Sequence, residues 1–402
     1  MPRCLVSGDW QVGAHGRRDD QEQAIERIVD LAIERGVDLF LHGGDVLHGP
    51  TVVPEDLGVV SRALARLRAA GIPVLIASGN GAHDQAMRSE NALEVFNEYP
   101  GVQVASRADV YRFDGCMVGV LPWTHVGRMV AASNGGDRDN VNERAADLLV
   151  RVAAGLLEDC RRVAPDLPAV LLAHWSLSGA SLPTGLPADA MREPVLDTDA
   201  LAALGYDALV ASHIHRPQWF SEGYGWNEPH ADGFTVLGFD ALYTGSPICH
   251  DFGEAGHPHG VWVVDVAVGA SSAEFVPIEG RPFVTIDVDY TEWGDVPDFE
   301  PATIPVEVTE GCIVRYRFKA TAEQARRIDT AVLRAQLQEA GAAVVKVEPD
   351  IVREDRARVD GVHADLAPLD AYDLWAAAND VEPELALRAR VRLAEHLEAV
   401  GS

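Results

Sequence analysis

The chain has 402 residues, of which 47% are hydrophobic and 24% are charged, and its formal net charge is −29. This composition is ordinary for a soluble globular protein and excludes a disordered chain, and the length predicts two or three domains. Because phosphate binding depends on cationic contacts that release counterions, the acidic excess by itself argues against a nucleic-acid ligand. Most of the acidic side chains are expected to form a solvated surface.

The sequence predicts a cytoplasmic protein without a membrane partner. No stretch approaches the roughly 20 apolar residues that cross a bilayer, and Asp9 ends the first apolar run before a signal-peptide core could form. The cysteines are odd in number, widely spaced and free of CxxC pairs: Cys4, Cys116, Cys160, Cys249 and Cys312. They are expected to be reduced and mostly packed.

The first part of the chain alternates between apolar runs and amphipathic segments. "RCLVSGD" predicts a strand, and a helix that ends at Gly36 follows, with one apolar face formed by Ile25, Ile28, Leu31 and Ala32. "DLFLHGGD", a helix from about Pro54 to Ala70, and "IPVLIASGN" repeat this pattern. Strands that alternate with helices indicate a mainly parallel sheet with helices on its faces.

The alternation of strands and helices continues to about residue 216 and then gives way to strands alone. Helices from about Val141 to Val163 and from about Asp197 to Leu204 precede the strands "PAVLLAH" and "DALVASH". The runs "FTVLGFDALYTGSP", "GVWVVDVAV" and "AEFVPIE" follow without helices and predict a second, antiparallel sheet. From "RPFVTIDVDY" onward, strands and a helix from about Ala322 to Ala340 predict a small separate α/β domain. The tail from Pro368 to Ser402 is predicted to be helical and interrupted at Pro383.

Polar residues of metal-ligand type follow five of the predicted strands. Each residue alone is more typical of a hydrogen-bonded turn. The carboxyl ends of parallel strands meet at one edge of a sheet, where ligands bind, so five strand ends in order indicate a site. The residues are Asp9 and Gln11, Asp45 and His48, Asn80 and His83, His174, and His213 and His215.

The residue types at these strand ends indicate the metal and the reaction. Carboxylate, amide and imidazole ligands suit Mn²⁺, Mg²⁺ or Fe²⁺, whereas a structural zinc would be expected to use thiolates or a closed tetrahedral set. Two such ions about 3.5 to 4 Å apart, bridged by one carboxylate, would bind a phosphate and activate a water for in-line attack. The pattern therefore predicts phosphoester hydrolysis.

These motifs resemble those of a known family. Asp9 with a ligand two residues on, "GGDVLH", the "GN" and "HD" of "GNGAHD", the isolated "AH" and "HIH" are similar, in order, to the five motifs of calcineurin-like metallophosphoesterases. "SHIHRPQ" followed by "YTGSPICHDFGEAGHPHGVWVVDV" resembles SbcD-type nucleases, the exonuclease subunits of double-strand-break processing complexes. The resemblance spans most of the chain and implies a two-sheet α/β sandwich flanked by helices.

The resemblance also implies a role for each motif residue. Asp45 would bridge two divalent metal ions, most simply Mn²⁺. One site would be completed by Asp9, Gln11 and His215, and the other by Asn80, His174 and His213. His83 would protonate the leaving group or orient the phosphate, with Asp84 as its orienting partner.

Two departures from the family pattern leave alternatives open. The family has Asn and His adjacent, whereas Gly81 and Ala82 stand between them here. Either these small residues bulge so that His83 still reaches the site, or Gly81 takes the catalytic place and activity is weak. Gln11 stands where the family has His and would loosen the first metal site; His15 is an alternative ligand.

The resemblance implies a domain plan and a biological role. Residues 1–280 would form the nuclease domain, 281–360 a DNA-capping domain, and 361–402 a helical segment that docks on an SbcC-type coiled-coil ATPase. The implied function is metal-dependent hydrolysis of DNA ends in double-strand-break repair or recombination, with a homodimer left open. The alternatives are a phosphodiesterase for small substrates, which the acidic charge favours, and a catalytically attenuated scaffold that binds DNA ends or the ATPase.

Overall fold

The computed structural model describes residues 1–49, 51–84, 91–127, 140–291, 310–352 and 366–400. The described residues form two compact units. The first unit consists of the described residues within Met1–Thr285, Pro305–Arg315 and Ala340–Val344, and the second unit consists of the remaining ones. No helix in the described ranges is both long and apolar enough to cross a lipid bilayer. The predicted domain boundaries at residues 280 and 360 stay predictions.

The secondary structure elements are numbered here in chain order. The strands are β1 (Arg3–Ser7), β2 (Leu39–His42), β3 (Val74–Ala77), β4 (Val102–Ala105), β5 (Asp109–Phe113), β6 (Cys116–Leu121), β7 (Ala169–His174), β8 (Ser176–Leu177), β9 (Val195–Leu196), β10 (Ala208–Ser212), β11 (Gln218–Ser221), β12 (Gly225–Asn227), β13 (Phe234–Leu237), β14 (Ala241–Tyr243), β15 (Gly260–Asp265), β16 (Ser272–Pro277), β17 (Phe283–Asp289), β18 (Ile313–Thr321) and β19 (Val344–Val352). The α-helices are α1 (Arg18–Glu34), α2 (Pro54–Ala69), α3 (Val141–Val163), α4 (Thr198–Ala202), α5 (Ala322–Arg327), α6 (Thr330–Glu339), α7 (Pro368–Ala378) and α8 (Pro383–Val400). Short 3₁₀ turns lie at Ala14–Gly16, Ala92–Glu98 and Ala188–Ala190.

Two seven-stranded sheets form the first unit. The first sheet has the order β13-β16-β15-β1-β2-β3-β4, in which β1 to β4 run parallel and the other three strands are antiparallel additions. The second has the order β12-β11-β14-β10-β7-β6-β5, in which β6, β7, β10 and β14 run parallel. The predicted two-sheet α/β sandwich is confirmed.

The alternation of side chains along the strands explains the layers. On β1, Leu5 packs with the buried faces of α1 and α2, whereas Val6 packs between the sheets with Val170 and Leu172 of β7. On the other sheet, Leu171 of β7 packs with the buried face of α3. Each sheet therefore has one face against its partner sheet and the other against helices.

The predicted helices of the first unit are confirmed with small shifts at their ends. α1 buries the four residues of its predicted apolar face, and the chain turns at Gly36 with φ +57°. α2 ends at Ala69, and α3 has the predicted bounds. α4 begins one residue later than predicted because Asp197 is its N-cap and accepts a hydrogen bond from Ala200 N–H, and it ends two residues earlier, at Ala202. All five cysteines are buried and free, as expected.

The prediction of a separate antiparallel sheet after residue 230 is wrong. β13, β15 and β16 extend the first sheet beyond β1, with Trp262 opposite Val6, and β14 joins the second sheet parallel to β10. Trp262 and Phe275 supply the reason, because both rings are buried between the two sheets. The strands predicted to form one parallel sheet are likewise divided, with β1 to β3 in one sheet and β7 and β10 in the other.

The second unit contains helices α5 to α8 and most of a three-stranded sheet of order β17-β18-β19. The single helix predicted from about Ala322 to Ala340 is two helices, because Ile328 is extended and Asp329 caps the second helix through Ala331 N–H. The helical tail and its interruption before Pro383 are confirmed as far as residue 400.

Candidate metal centre

The candidate site lies where the carboxyl ends of strands from both sheets meet. His174 is the last residue of β7, and His213 follows β10 directly. Asp9, Asp45 and Asn80 lie two or three residues beyond the ends of β1, β2 and β3. Among these five residues, the first sheet supplies the two carboxylates and the amide, and the second supplies the two imidazoles.

Glycines allow the backbones to approach closely at this edge. A Cβ on Gly43, just after β2, would lie 1.8 Å from Ser212 Oγ at the end of β10. A Cβ on Gly79, just after β3, would lie 2.0 Å from Asp45 Oδ1. Any side chain at either position would push the sheets or the loops apart.

Asp45 lies at the middle of the polar cluster and is almost fully buried. Asn80 donates to it twice, from its backbone N–H to Oδ1 and from Nδ2 to Oδ2, both at 2.8 Å. His174 Nε2 lies 3.3 Å from Oδ1, and His83 Nε2 lies 3.6 Å from Oδ2. The ligand atoms of Asp45, His174 and His213 all lie within 4.8 Å of one another.

Hydrogen bonds fix which nitrogen of each histidine faces the cluster. His174 donates from Nδ1 to Gly43 O at 2.8 Å, so the lone pair of its neutral ring is on Nε2. His213 donates from Nε2 to Glu193 at 2.7 Å, so its lone pair is on Nδ1. Both atoms, His174 Nε2 and His213 Nδ1, are buried and have no hydrogen-bond partner among the described residues.

Gln11 and His215 form the other side of the cluster. His215 donates from Nδ1 to Glu254, and its Nε2 accepts a hydrogen bond from the Gln11 amide at 2.9 Å. The oxygen of Gln11 lies 3.4 Å from Nδ1 of His48. Asp9 joins this side through its carboxylate, which accepts from His213 N–H at 3.1 and 3.2 Å.

The insertion in "GNGAHD" forms a turn that returns His83 to the cluster. The Asn80 side chain accepts from Ala82 N–H, and Asn80 O accepts from His83 N–H. His83 Nε2 consequently lies 3.4 Å from the Gln11 amide nitrogen, whereas a Cβ on Gly81 would face Trp123 and His125. The geometry favours the bulge over Gly81 in the catalytic place. It also points the Asn80 amide nitrogen toward Asp45, so metal ligation through oxygen would require the amide to turn over.

The predicted contact between His83 and Asp84 is not made. His83 donates from Nδ1 to the carbonyl of His48 at 2.6 Å. The two oxygens of Asp84 instead accept from the backbone N–H groups of Leu47 and Gly79. Because the carboxylate is buried beneath the turn, it ties the loops after β2 and β3 together. His15, the alternative ligand, is exposed, and its ring lies 5.4 Å from that of His48.

Backbone strain is concentrated at the same residues. Among the described non-glycine residues, six have positive φ, and four of these are predicted ligands: Asp9 (51°), Gln11 (44°), Asp45 (55°) and His213 (100°). Such conformations cost about 1 to 3 kcal/mol each and persist where the surroundings impose them. These backbone conformations therefore lower the stability of the fold, and they orient the four side chains toward the cluster.

The electrostatics of the cluster depend on burial and on opposite charges in contact. Burial alone would raise the pKa of Asp45, but His174 and His83 beside it hold that pKa below its ordinary value. Burial alone would lower the pKa of His174, but Asp45 raises it to about 9. Burial, reinforced by the Asp45 charge, raises the pKa of Asp84 to about 6. The buried carboxylate of Asp45 thus favours a positive charge beside it.

Comparison with known proteins places the chain in a family. The sequence model of calcineurin-like phosphoesterases matches residues 2–217, which are more than half of the chain. The chain belongs to the calcineurin-like phosphoesterase family. Residues 2–217 include all of the predicted ligands, whereas Glu254 lies beyond them.

Three similar proteins have names that describe nucleases or DNA repair. Exonuclease subunit 1 of enterobacteria phage T4 is 21% identical over 319 residues, which cover 77% of this chain and 77% of that protein. The SbcD component of the SbcCD nuclease of Rhodobacter capsulatus is 25% identical over 299 residues, which cover 67% of each. The DNA double-strand break repair protein Mre11 of Haloferax volcanii is 38% identical over 86 residues, covering 20% of this chain and 19% of that protein.

The calcineurin-like phosphoesterase family implies a centre of two metal ions, and the residues present fit such a centre. His174 Nε2 and His213 Nδ1 are buried without a hydrogen-bond partner among the described residues and lie within reach of the Asp45 carboxylate, where a metal ion would replace the proton that the raised pKa of His174 places on Nε2. Carboxylate and imidazole are donors that bind divalent transition metals well. A cation here would supply the charge that Asp45 favours.

Sequence reasoning missed the two carboxylates that orient the "HIH" histidines. Glu193 accepts from His213 and from Ser176 Oγ, and Glu254 accepts from His215 and from His250 N–H at 2.7 Å. Metal-binding histidines commonly donate their second N–H to a carboxylate, so the Glu of the "DFGE" run was a recognisable candidate. Nothing in the sequence around Glu193 marks it.

Proposed function

We propose that this protein is a metal-dependent nuclease subunit that hydrolyses phosphodiester bonds at DNA ends in double-strand-break repair or recombination. The observation that carries the proposal is the cluster of Asp45, His174 and His213, whose ligand atoms converge while their other polar atoms are tied to the fold. The name of the Haloferax volcanii relative supports DNA as the substrate, and the names of the other two support nuclease activity, with SbcD as the type in Rhodobacter capsulatus.

Each side chain has a role in the proposed reaction. Asp45 would be shared by two divalent ions, with Asp9, Gln11 and His215 holding one and Asn80, His174 and His213 the other. When bound, the ions would polarise the phosphoryl oxygens and lower the pKa of a water. Mn²⁺ is the proposed metal, because mixed oxygen and imidazole donors suit it; Mg²⁺ and Fe²⁺ are the alternatives.

His83 is the proposed group that delivers a proton to the leaving oxygen. Its Nδ1–H is held by the carbonyl of His48, so Nε2 is the atom that faces the cluster. A positioned imidazole of this kind contributes about 10²- to 10⁴-fold by general acid catalysis. Asp84 would act only by fixing the loops that carry His83 and Asp45.

The remaining predictions belong to the same proposal. Residues 281–360 would cap the DNA, and residues 361–402 would dock on an SbcC-type coiled-coil ATPase in the cytoplasm. With a net charge of −29, the isolated chain should bind DNA weakly and with strong salt dependence. Adding the ATPase should increase the affinity greatly, because the partner would supply most phosphate contacts. Tight or salt-insensitive binding by the isolated chain would contradict this arrangement.

The direct test is cleavage of end-labelled linear DNA by the Mn²⁺-loaded protein, with a closed circle of the same sequence as the control for end dependence. The proposal expects release of labelled product from the linear form and none in the presence of a chelator. His83→Gln should slow the reaction without removing bound Mn²⁺. Loss of bound metal in this variant would show instead that His83 is a ligand.

A phosphodiesterase for small substrates is the second candidate, and the acidic surface favours it because such substrates need few cationic contacts. The same preparation should be given a small chromogenic phosphodiester. Turnover of this compound with no cleavage of DNA, with and without the ATPase, would replace the first proposal by the second.

A further inference from the structure

Two arginines lie on a pair of phenylalanine rings in the first unit. The rings of Phe252 and Phe283 meet edge to face, with centroids 4.8 Å apart. The guanidinium carbon of Arg17 lies 4.9 Å from the centroid of Phe283, and that of Arg315 lies 4.5 Å from the centroid of Phe252. Both distances are within the range of cation–π attraction. We call these four residues the arginine–phenylalanine cluster.

The cluster is attached to the loop that supports the candidate metal centre. Arg17 donates from Nη1 to the carbonyl of Cys249 at 2.8 Å, and the next residue, His250, donates to the carbonyl of Asp9. Phe252 lies two residues before Glu254, which orients His215. The cluster therefore stands beside the centre without contributing a ligand to it.

The positive charge of this region is only partly balanced. Asp20 accepts from both Arg17 and Arg281, so these two guanidinium groups share one carboxylate. Arg315 has the hydroxyl of Thr285 as its polar partner at 3.0 Å, and no carboxylate of the described residues forms an ion pair with it. In addition, Arg17 Nη2 is buried and has no hydrogen-bond partner in the described part of the chain.

The basic residues that follow Arg315 on β18 form ion pairs, unlike Arg315 itself. Arg317 pairs with Asp287 and Lys319 with Asp289, each across to β17. Thr285 stands at the corresponding place opposite Arg315. The uncharged partner leaves Arg315 available for an anion, in a protein whose other surface charge is strongly acidic.

Space for a ligand adjoins the cluster. A cavity of about 500 Å³ is lined by Arg281 and Phe283, together with Cys249, His257 and His259. Cavities of about 300 to 1,000 Å³ are typical of sites for small ligands. Phe283 is the member of the cluster that lines this cavity, and Glu279 lines it as well, so the cavity offers space for the sugar and base beside the cluster rather than for the phosphate at Arg17 and Arg315.

We propose that the arginine–phenylalanine cluster binds a phosphate of the substrate strand other than the one that is cleaved. This inference rests on the proposed function for the identity of the strand. Guanidinium groups bind phosphate oxygens through paired, charge-assisted hydrogen bonds, and a fixed phosphate outside the centre would hold the strand in register for cleavage. Arg315 is the main binding group, because the donors of Arg17 are partly used to hold Cys249.

Binding can be measured without cleavage. The Mn²⁺-loaded full chain is titrated with a short fluorescent phosphorothioate oligothymidine, which resists hydrolysis, over a series of salt concentrations. Arg315→Gln should lower the slope of log affinity against log salt by about 0.7, the value of one lost phosphate contact on a single strand. The matched control is Arg35→Gln, which removes the same charge from an exposed arginine paired with Glu274 beyond the far end of α1. Equal slopes for the wild type and both variants would overturn the proposal.

A kinetic comparison separates binding from loop support. A dinucleoside monophosphate has only the phosphate that is cleaved, whereas a thymidine trinucleotide has one more. In Arg315→Gln the ratio of kcat/KM for the trinucleotide to that for the dinucleotide should fall about tenfold, since one charge-assisted bond is worth at least this factor. Arg35→Gln should keep the wild-type ratio. An equal loss on both substrates would assign Arg315 to support of the loop and reject the subsite.

The failure of the proposed function would look different. If the wild type binds the oligonucleotide and only Arg315→Gln changes the salt slope, but no substrate is cleaved, the subsite stands and the nuclease proposal falls. Arg315→Lys, which keeps the charge but not the paired geometry, should recover most of the salt slope and little of the kinetic ratio.

Discussion

The two halves of the candidate centre are built from similar residues but differ in the hydrogen bonds of their histidine ring nitrogens. In one half, His174 Nε2 and His213 Nδ1 lie beside Asp45 without hydrogen-bond partners in the described chain. In the other half, the lone pair of His215 already accepts from the Gln11 amide at 2.9 Å. The first half is incomplete without a cation, whereas the second is partly satisfied by the protein itself. Both halves share Asp45. We call the half with His174 and His213 the Asp45 half and the half with Gln11 and His215 the Gln11 half. We therefore expect the Asp45 half to bind metal first and the Gln11 half to bind it more weakly.

The largest effect is expected from Asp45→Asn, which removes the charge shared by both halves. Hydrolysis of a chromogenic phosphodiester with Mn²⁺ should fall by at least about 10³-fold, because both ions lose their common anionic ligand. Circular dichroism melting should show a folded protein, since the change is isosteric. Asp265→Asn, which alters a partly exposed carboxylate paired with Arg3, is the control and should keep full activity. Mn²⁺-dependent turnover that survives in Asp45→Asn would end the assignment of the centre.

Metal addition to the metal-free protein should raise its stability in two steps. A ligand that binds only the folded state at 100 times its dissociation constant stabilises it by about 2.7 kcal/mol. Thermal melting over a Mn²⁺ series should show a first rise from the Asp45 half and a later one from the Gln11 half. A single transition with two ions bound at equal affinity, measured by calorimetry, would remove the difference between the halves.

The carboxylates that orient the histidines should each affect their own half. Glu193→Gln should weaken metal binding at the Asp45 half, and Glu254→Gln at the Gln11 half, by about 10- to 100-fold. Isothermal titration resolves the two steps, and Glu222→Gln, an exposed glutamate after β11, is the control. If both changes weaken the same step, the division of the centre into halves is wrong.

The smallest effect is expected from Gln11→His, which should make the halves more alike. Imidazole is a stronger donor than an amide to divalent transition metals, so affinity at the weaker step should rise by about tenfold, or about 1.4 kcal/mol. The tight step should not change. Equal affinities in the variant and the wild type would show that residue 11 is not a ligand.

Local patterns in the sequence predicted the elements of the first unit but not their partners. The apolar faces of α1 and α2 and the runs of β1, β2, β3, β7 and β10 were readable because burial imposes their periods. That Trp262 lies opposite Val6 depends on a pairing between segments more than 250 residues apart, which no local pattern records. The antiparallel strands were therefore assigned to the wrong sheet.

The candidate centre could likewise be predicted from the sequence only in part. The ligand-type residues follow strands directly, so sequence order was enough to group Asp45, His174 and His213. The partner of Asp84 could not be predicted, because the N–H groups of Leu47 and Gly79 carry no side-chain signal. Glu193 was missed because its contact with His213 depends on the path of the chain between β8 and β9.

The left-handed backbone at Asp9, Gln11, Asp45 and His213 has an evolutionary consequence. Glycine would relieve the strain at each of these positions, so only selection for the side chain keeps a larger residue there. A descendant that no longer needed the reaction would gain stability by drifting to glycine or asparagine at these four positions before any change in its core. The occurrence of such replacements among relatives would therefore mark the lineages in which the chemistry has been abandoned.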